Sequence, residues 1–109
     1  MNIIWLSRHE PTAEQEKKLR SIISFDKLIV VSKTISRSSE IKSLMSENEA
    51  SEIVAVLPIN LVSDLINREQ IKPIRAVMNR QLDENGEATF IFSHFERVLS
   101  VAVETEKME

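Results

Sequence analysis

The sequence predicts an α/β domain built on a mostly parallel sheet, with three helices and a C-terminal β-hairpin extension. Three observations carry this. Three short apolar runs, Ile3 to Leu6, Leu28 to Val31 and Ile53 to Leu57, have the continuous character of strands covered on both faces. Each is followed by a segment with apolar residues at helical spacing. The dipeptide Asn85-Gly86 then marks a hairpin in the last third. Strands alternating with helices pair in parallel through right-handed crossovers, which makes the expected architecture Rossmann-like.

Pro11 and Thr12 open the first helix after Ile3 to Leu6. Thr12 and Gln15 have the spacing of a capping box, and Glu14 and Glu16 suit the positive end of the helix dipole. Leu19, Ile22 and Ile23 supply its apolar stripe. Beyond the second strand, Ser36-Arg37-Ser38-Ser39 reads as a solvated loop ending in an N-cap, and Ile41, Leu44 and Met45 give the face of a weaker helix. Pro58 suits the first turn of a third helix, where its missing N–H costs nothing. Leu61, Val62, Leu65 and Ile66 follow at helical spacing. Alternation from Ile74 to Asn79 predicts a fourth strand, and Glu87 to Phe92 the strand returning from the hairpin. Val98 to Glu104 fits a further strand or a helix, and Glu104 to Glu109 a fraying charged tail.

With 109 residues, the chain is too short for two cores, so residues 1–109 are expected to form one domain. The 42% apolar and 28% charged content is that of a globular protein. Cysteine is absent, which excludes disulfides and thiolate metal sites, and the two histidines lie far apart, so no metal or cofactor is expected. A net charge of −3 argues against long nucleic acid, which needs an extended basic surface, but not against a small anion held by a few local cations. No apolar run reaches the ~20 residues of a membrane span. Only four apolar residues precede Ser7-Arg8-His9, unlike a signal peptide, so a cytoplasmic location is expected.

In open parallel sheets, ligands bind beyond the carboxyl ends of the strands. That rule selects Ser7, Arg8 and His9 after the first strand, and Ser32 and Lys33 after the second. Asn60 follows the third, and Asn79 and Arg80 the fourth. Hydroxyl, amide, imidazole and cationic groups on one rim suit a phosphate or nucleotide. His9 reads equally as a proton-exchanging group or as a surface cap. Asn60 reads equally as a ligand contact or as a partner of its own helix terminus. Trp5 reads as core, and His94, between Phe92 and Phe95, as a partly buried packing residue. With Gly86 the only glycine, neither a Walker loop nor a dinucleotide fingerprint is possible.

A strand running into Ser7-Arg8-His9, and Leu57-Pro58-Ile59-Asn60-Leu61 after a third strand, resemble small Rossmann-fold proteins of type III CRISPR systems. These are similar to stand-alone CARF (CRISPR-associated Rossmann fold) domains of the ring-nuclease type. The resemblance covers roughly the first two-thirds of the chain. It departs after His9, where Glu10 and Pro11 stand in place of a proline and glycine. What it implies is binding of a cyclic oligoadenylate, cyclic tetra-adenylate in particular, by a homodimer whose two-fold axis matches that of the ring. It further implies metal-independent cleavage, in which a ribose 2′-OH attacks the adjacent phosphate to give a 2′,3′-cyclic phosphate. Arg8 and His9 are then the catalytic pair, and Ser7, Ser32, Lys33, Asn60, Asn79 and Arg80 bind ligand. A module that sequesters the ring without cutting it, and an interaction protein with no small-molecule site, remain the alternatives.

Overall fold

A computed structural model describes residues 1–101 and residue 108. The elements in chain order are β1 (Asn2–Leu6), α1 (Ala13–Ile22), β2 (Leu28–Val31), α2 (Ser38–Glu47), β3 (Ala50–Ala55), α3 (Ile59–Asn67), β4 (Ile74–Leu82) and β5 (Ala88–Arg97). They form one five-stranded sheet in the order β2-β1-β3-β4-β5. The first three pairings are parallel, and β4 with β5 is antiparallel. The expected class is therefore the one that forms.

Alternation of side chains along β1 and β3 divides the core in two. Ile4, Leu6, Ile53 and Ala55 face α2 and α3, where they meet Ile41, Met45, Leu61 and Leu65. Ile3, Trp5 and Val54 face the other way and pack with Leu19 of α1 and Ile74 of β4. Helices thus cover both faces of β1 and β3, which explains why both strands are apolar without interruption. Burying each such aliphatic side chain contributes about 1.5–3 kcal/mol.

Local chemistry sets the helix ends. In α1 the Thr12 hydroxyl accepts from the Gln15 amide at 3.1 Å, and the Gln15 side chain accepts from the Thr12 amide at 2.9 Å, so the capping box is complete. Ile22, expected on the buried stripe, is 52% exposed, because Leu19 and Ile23 suffice to cover this edge of the sheet. α2 starts earlier than the serine-rich sequence suggested. Ser38 and Ser39 are already helical, and Ser38 is buried with its hydroxyl directed to Glu69 at 3.5 Å. β2 is an edge strand and only partly buried, despite its apolar sequence.

The largest departures fall in strand lengths. β3 begins at Ala50 and ends at Ala55, leaving Val56 83% exposed beyond it. β4 runs on through Asn79 and Arg80 to Leu82, and β5 extends to Arg97. Only Ile74 of β4 pairs with β3, through Val54, so most of β4 has β5 as its sole neighbour. The two strands therefore leave the sheet as a ribbon. The Cα radius of gyration, 15.9 Å, exceeds the roughly 13 Å of a compact domain of this length, in keeping with that projection.

The ribbon turn uses Asn85-Gly86 differently from a two-residue hairpin. Gly86 has φ +80° while Asn85 stays at negative φ, and the Gly86 amide donates to the Asp83 carbonyl at 3.1 Å. This is a type I turn followed by a left-handed glycine. The Asp83 carboxylate secures it by accepting from the amides of Asn85 and Glu87 at 2.9 and 2.8 Å. Val98 to Val101 form no strand or helix, and the rest of the Val98–Glu104 segment and all the tail but residue 108 lie outside the described residues. Among the described residues, no helix is long and apolar enough to cross a membrane.

Candidate functional site

The chain returns from β2 across β1 to β3, so the connections leaving β1 and β3 lie on opposite faces of the sheet. The carboxyl ends of these two strands diverge there, the place where doubly wound sheets open a crevice. A cleft of about 810 Å³ occupies this position. Ser7, Arg8 and His9 line it from the end of β1, Ser32 and Lys33 from the end of β2, and Val56 to Pro58 from the end of β3.

Each polar segment is positioned by the strand before it. The Ser7 amide donates to the Val31 carbonyl at 3.1 Å, which extends the β1–β2 ladder into the cleft wall. The Ser7 hydroxyl in turn accepts from the His9 amide at 3.2 Å and folds the loop back on itself. Trp5 is buried, as expected of a core residue, but its indole N–H donates to the His9 carbonyl at 3.1 Å. The backbone of His9 is thus held at both its amide and its carbonyl, while the imidazole stands exposed at the mouth.

The charges suit an anion. Arg8 and Lys33 are exposed, line the cleft, and form no ion pair among the described residues. Glu10 is the opposing carboxylate in the lining. The two nearest helix starts differ. α1 closes its own N-terminus with Thr12, whereas no side chain caps α3 behind Pro58. The first amides of α3 therefore keep their donor capacity, next to a wall that Pro58 itself forms.

The strand-end rule brings Ser7, Arg8, His9, Ser32 and Lys33 together. It does not place the other three candidates in the lining. Pro58 is the N-cap rather than the first helical residue, and Asn60, at the second helical position, is exposed outside the cleft. Asn79 and Arg80 do not follow β4 but lie within it, paired with Ile91 and Phe90 on the ribbon. Their place at the wall is taken by Ala76 and Met78, two residues that sequence patterning read as ordinary strand. The role of Trp5 carried a readable signal. A buried indole N–H needs an acceptor, and the loop just beyond its own strand offers carbonyls within reach.

His94 does not pack as expected. It is exposed on the ribbon, its Nε2–H donates to the Glu96 carboxylate at 3.2 Å, and the Ser93 hydroxyl meets Nδ1 at 2.8 Å. The bulge between Val77 and Met78 leaves Ser93 without a partner across the ribbon. Arg75, at 2.7 Å, and then His94 hold the Glu96 carboxyl below the usual carboxylate range. A second hollow of about 880 Å³ lies between this pair and α3. It is lined chiefly by Val56, Ile59, Val62 and Leu99, and Arg75 and Glu96 already satisfy one another at its edge. The cleft at the strand ends thus has cations not committed elsewhere, and the hollow offers a neutralised pair.

Compared with protein-family models, curated proteins and solved structures, the chain matches none.

Proposed function

We propose that the cleft binds a cyclic oligoadenylate and opens it by phosphodiester cleavage without a metal ion. The supporting observation is that a single strand-end cleft gathers Arg8, His9 and Lys33, with the hydroxyls of Ser7 and Ser32. In this reading Arg8 and Lys33 hold the phosphate and oppose the charge that builds on it. The ribose 2′-oxygen attacks the neighbouring phosphorus as its proton leaves to a base. The bond from phosphorus to the 5′-oxygen breaks, and that oxygen takes a proton from an acid. The products are a 2′,3′-cyclic phosphate and a 5′-hydroxyl. His9 serves as the acid or the base, the side chain suited to exchange a proton near neutral pH. The fixed backbone of His9 limits the positions its ring can reach, which favours catalysis by orientation. A symmetric tetra-adenylate ring calls for a two-fold receptor, so a homodimer is part of the proposal.

Incubation with cyclic oligoadenylates of several ring sizes, followed by chromatography, tests this. Linear products ending in 2′,3′-cyclic phosphate are expected, and an untouched panel contradicts the catalytic part. One observation favours the sequestering alternative. Asn60, the residue expected to position phosphate from α3, stands outside the lining. Thermal stabilisation by an uncleaved ring identifies that outcome.

A further inference from the structure

The buried residues of α1 are Leu19 and, one turn before it on the same stripe, the polar Gln15. A helix that returns between parallel strands runs antiparallel to them, so its first turn stands over their carboxyl ends. Leu19 therefore enters the core with Trp5, Val54 and Ile74, while Gln15 reaches the cleft and lines it. Gln15 is only 8% exposed, and a side-chain amide buried to that degree is ordinarily satisfied at both ends. This one is satisfied at one. Its Oε1 accepts from the Thr12 amide at 2.9 Å. A backbone N–H only donates, so the cap fixes which end of the carboxamide is oxygen and turns the nitrogen the other way. Among the described residues, Nε2 donates to none. No fully enclosed side-chain nitrogen or oxygen among those residues lacks a partner, so Nε2 keeps contact with solvent, and the cleft is the open space that Gln15 borders. The cleft wall on this side is apolar. Trp5 and Val54 face α1, and Ala76 and Met78 share the face of Ile74 along β4.

Resting on the nucleotide ligand proposed above, we infer that the α1 side of the cleft is a nucleobase pocket and that Gln15 reads the base through a ring nitrogen. A flat heterocycle fits walls of aliphatic and indole character, and its in-plane lone pair meets the one buried donor among them. Adenine offers such lone pairs at N1, N3 and N7. The ribose and phosphate then extend toward Arg8 and Lys33, which line the same cleft. Because the cap already holds the carboxamide in place, the contact costs little side-chain entropy when the ligand binds. Helix capping and ligand recognition thus share one amide, its oxygen serving α1 and its nitrogen the base.

NMR titration of the isotope-labelled full chain with adenosine 5′-monophosphate tests this, with ribose 5-phosphate as the ligand that lacks a base. The monophosphate is expected to shift the Gln15 side-chain amide resonances, and ribose 5-phosphate to leave them in place. Adenosine monophosphates with carbon in place of N1, N3 or N7 identify the atom read, and one of the three is expected to bind at least roughly tenfold more weakly. Gln15→Glu removes the donor and keeps the cap, because glutamate completes a capping box as glutamine does, so thermal stability is expected to be retained. The variant is expected to bind the monophosphate at least roughly tenfold more weakly and to respond alike to all three substituted bases. Gln15 resonances that do not move, or a variant that binds like the wild type, overturn the inference whatever becomes of the ring. An equal loss for ribose 5-phosphate marks charge repulsion alone and overturns it too. A chain that binds the monophosphate through Gln15 but neither binds nor opens cyclic tetra-adenylate upholds the base pocket and overturns the ring as its ligand.

Discussion

The two ends of the sheet are built on opposite rules. Around β1 and β3, helices cover both faces, and Ile3, Ile4 and Ile53 are fully buried. Around β4 and β5, one strand pair continues alone beyond the last residue that touches β3, carrying its apolar side chains into solvent. The first region is fixed by burial and can present a rigid cleft at its strand ends. The second is held by turn chemistry and ladder hydrogen bonds, so it has a face left over. The proposed ligand site belongs to the first region, and the second leaves its apolar side chains in solvent.

Mutations separate the two regions by size of effect. His9→Ala is expected to slow ring opening by roughly two to four orders of magnitude with affinity retained, measured in single-turnover kinetics. An unchanged rate leaves His9 as a loop residue whose backbone alone matters. Ile53→Ala is expected to cost about 2–5 kcal/mol in chemical denaturation, because the cavity forms where helices pack on both faces. Gly86→Ala is expected to cost about 1 kcal/mol. No atom lies within 4 Å of the added carbon, so the penalty comes only from φ +80°. Thr12→Ala is expected to cost a similar ~1 kcal/mol through loss of the capping box.

The smallest effect is a pH dependence on the polar side of the ribbon. Arg75 and then His94 lower the Glu96 carboxyl in the folded chain. Its contribution is therefore present above the unfolded carboxylate range and is lost as pH falls through the lower, folded value. Glu96→Gln is expected to reduce stability slightly at neutral pH and to converge with the wild type in acid. A difference that grows on acidification contradicts the sign.

The same contrast explains what could be read from the sequence. β1 is legible as Ile3 to Leu6 because both of its faces need apolar side chains, and the Thr12–Gln15 box announces α1 directly. The start of β3 is hidden, because Ala50-Ser51-Glu52 lies at the less covered end and carries no apolar run. β4 reads as ending at Asn79 because Asn79, Arg80 and Gln81 look like a loop, yet the ladder to β5 continues through all three. In a ribbon open to water, hydrogen bonding rather than burial sets strand length. The cleft follows the same division. Ser7, Arg8, His9, Ser32 and Lys33 were legible because they end well-buried or well-aligned strands. Asn79 and Arg80 were misplaced because their strand does not end there. Asn60 was misread because Pro58 caps α3 and the cleft lining ends at that cap, before the first helical residues.

The most direct test of the account is a calorimetric titration of cyclic tetra-adenylate into the wild type and into Arg8→Ala, Lys33→Ala and Asn60→Ala, at two salt concentrations. Arg8 and Lys33 stand in the cleft and Asn60 outside it. The account predicts binding by the wild type, at least about tenfold weaker binding with a reduced salt dependence for each of the two cation variants, and near-wild-type affinity for Asn60→Ala. No binding by the wild type, or losses that follow Asn60 rather than Arg8 and Lys33, contradict a ligand site at the strand ends.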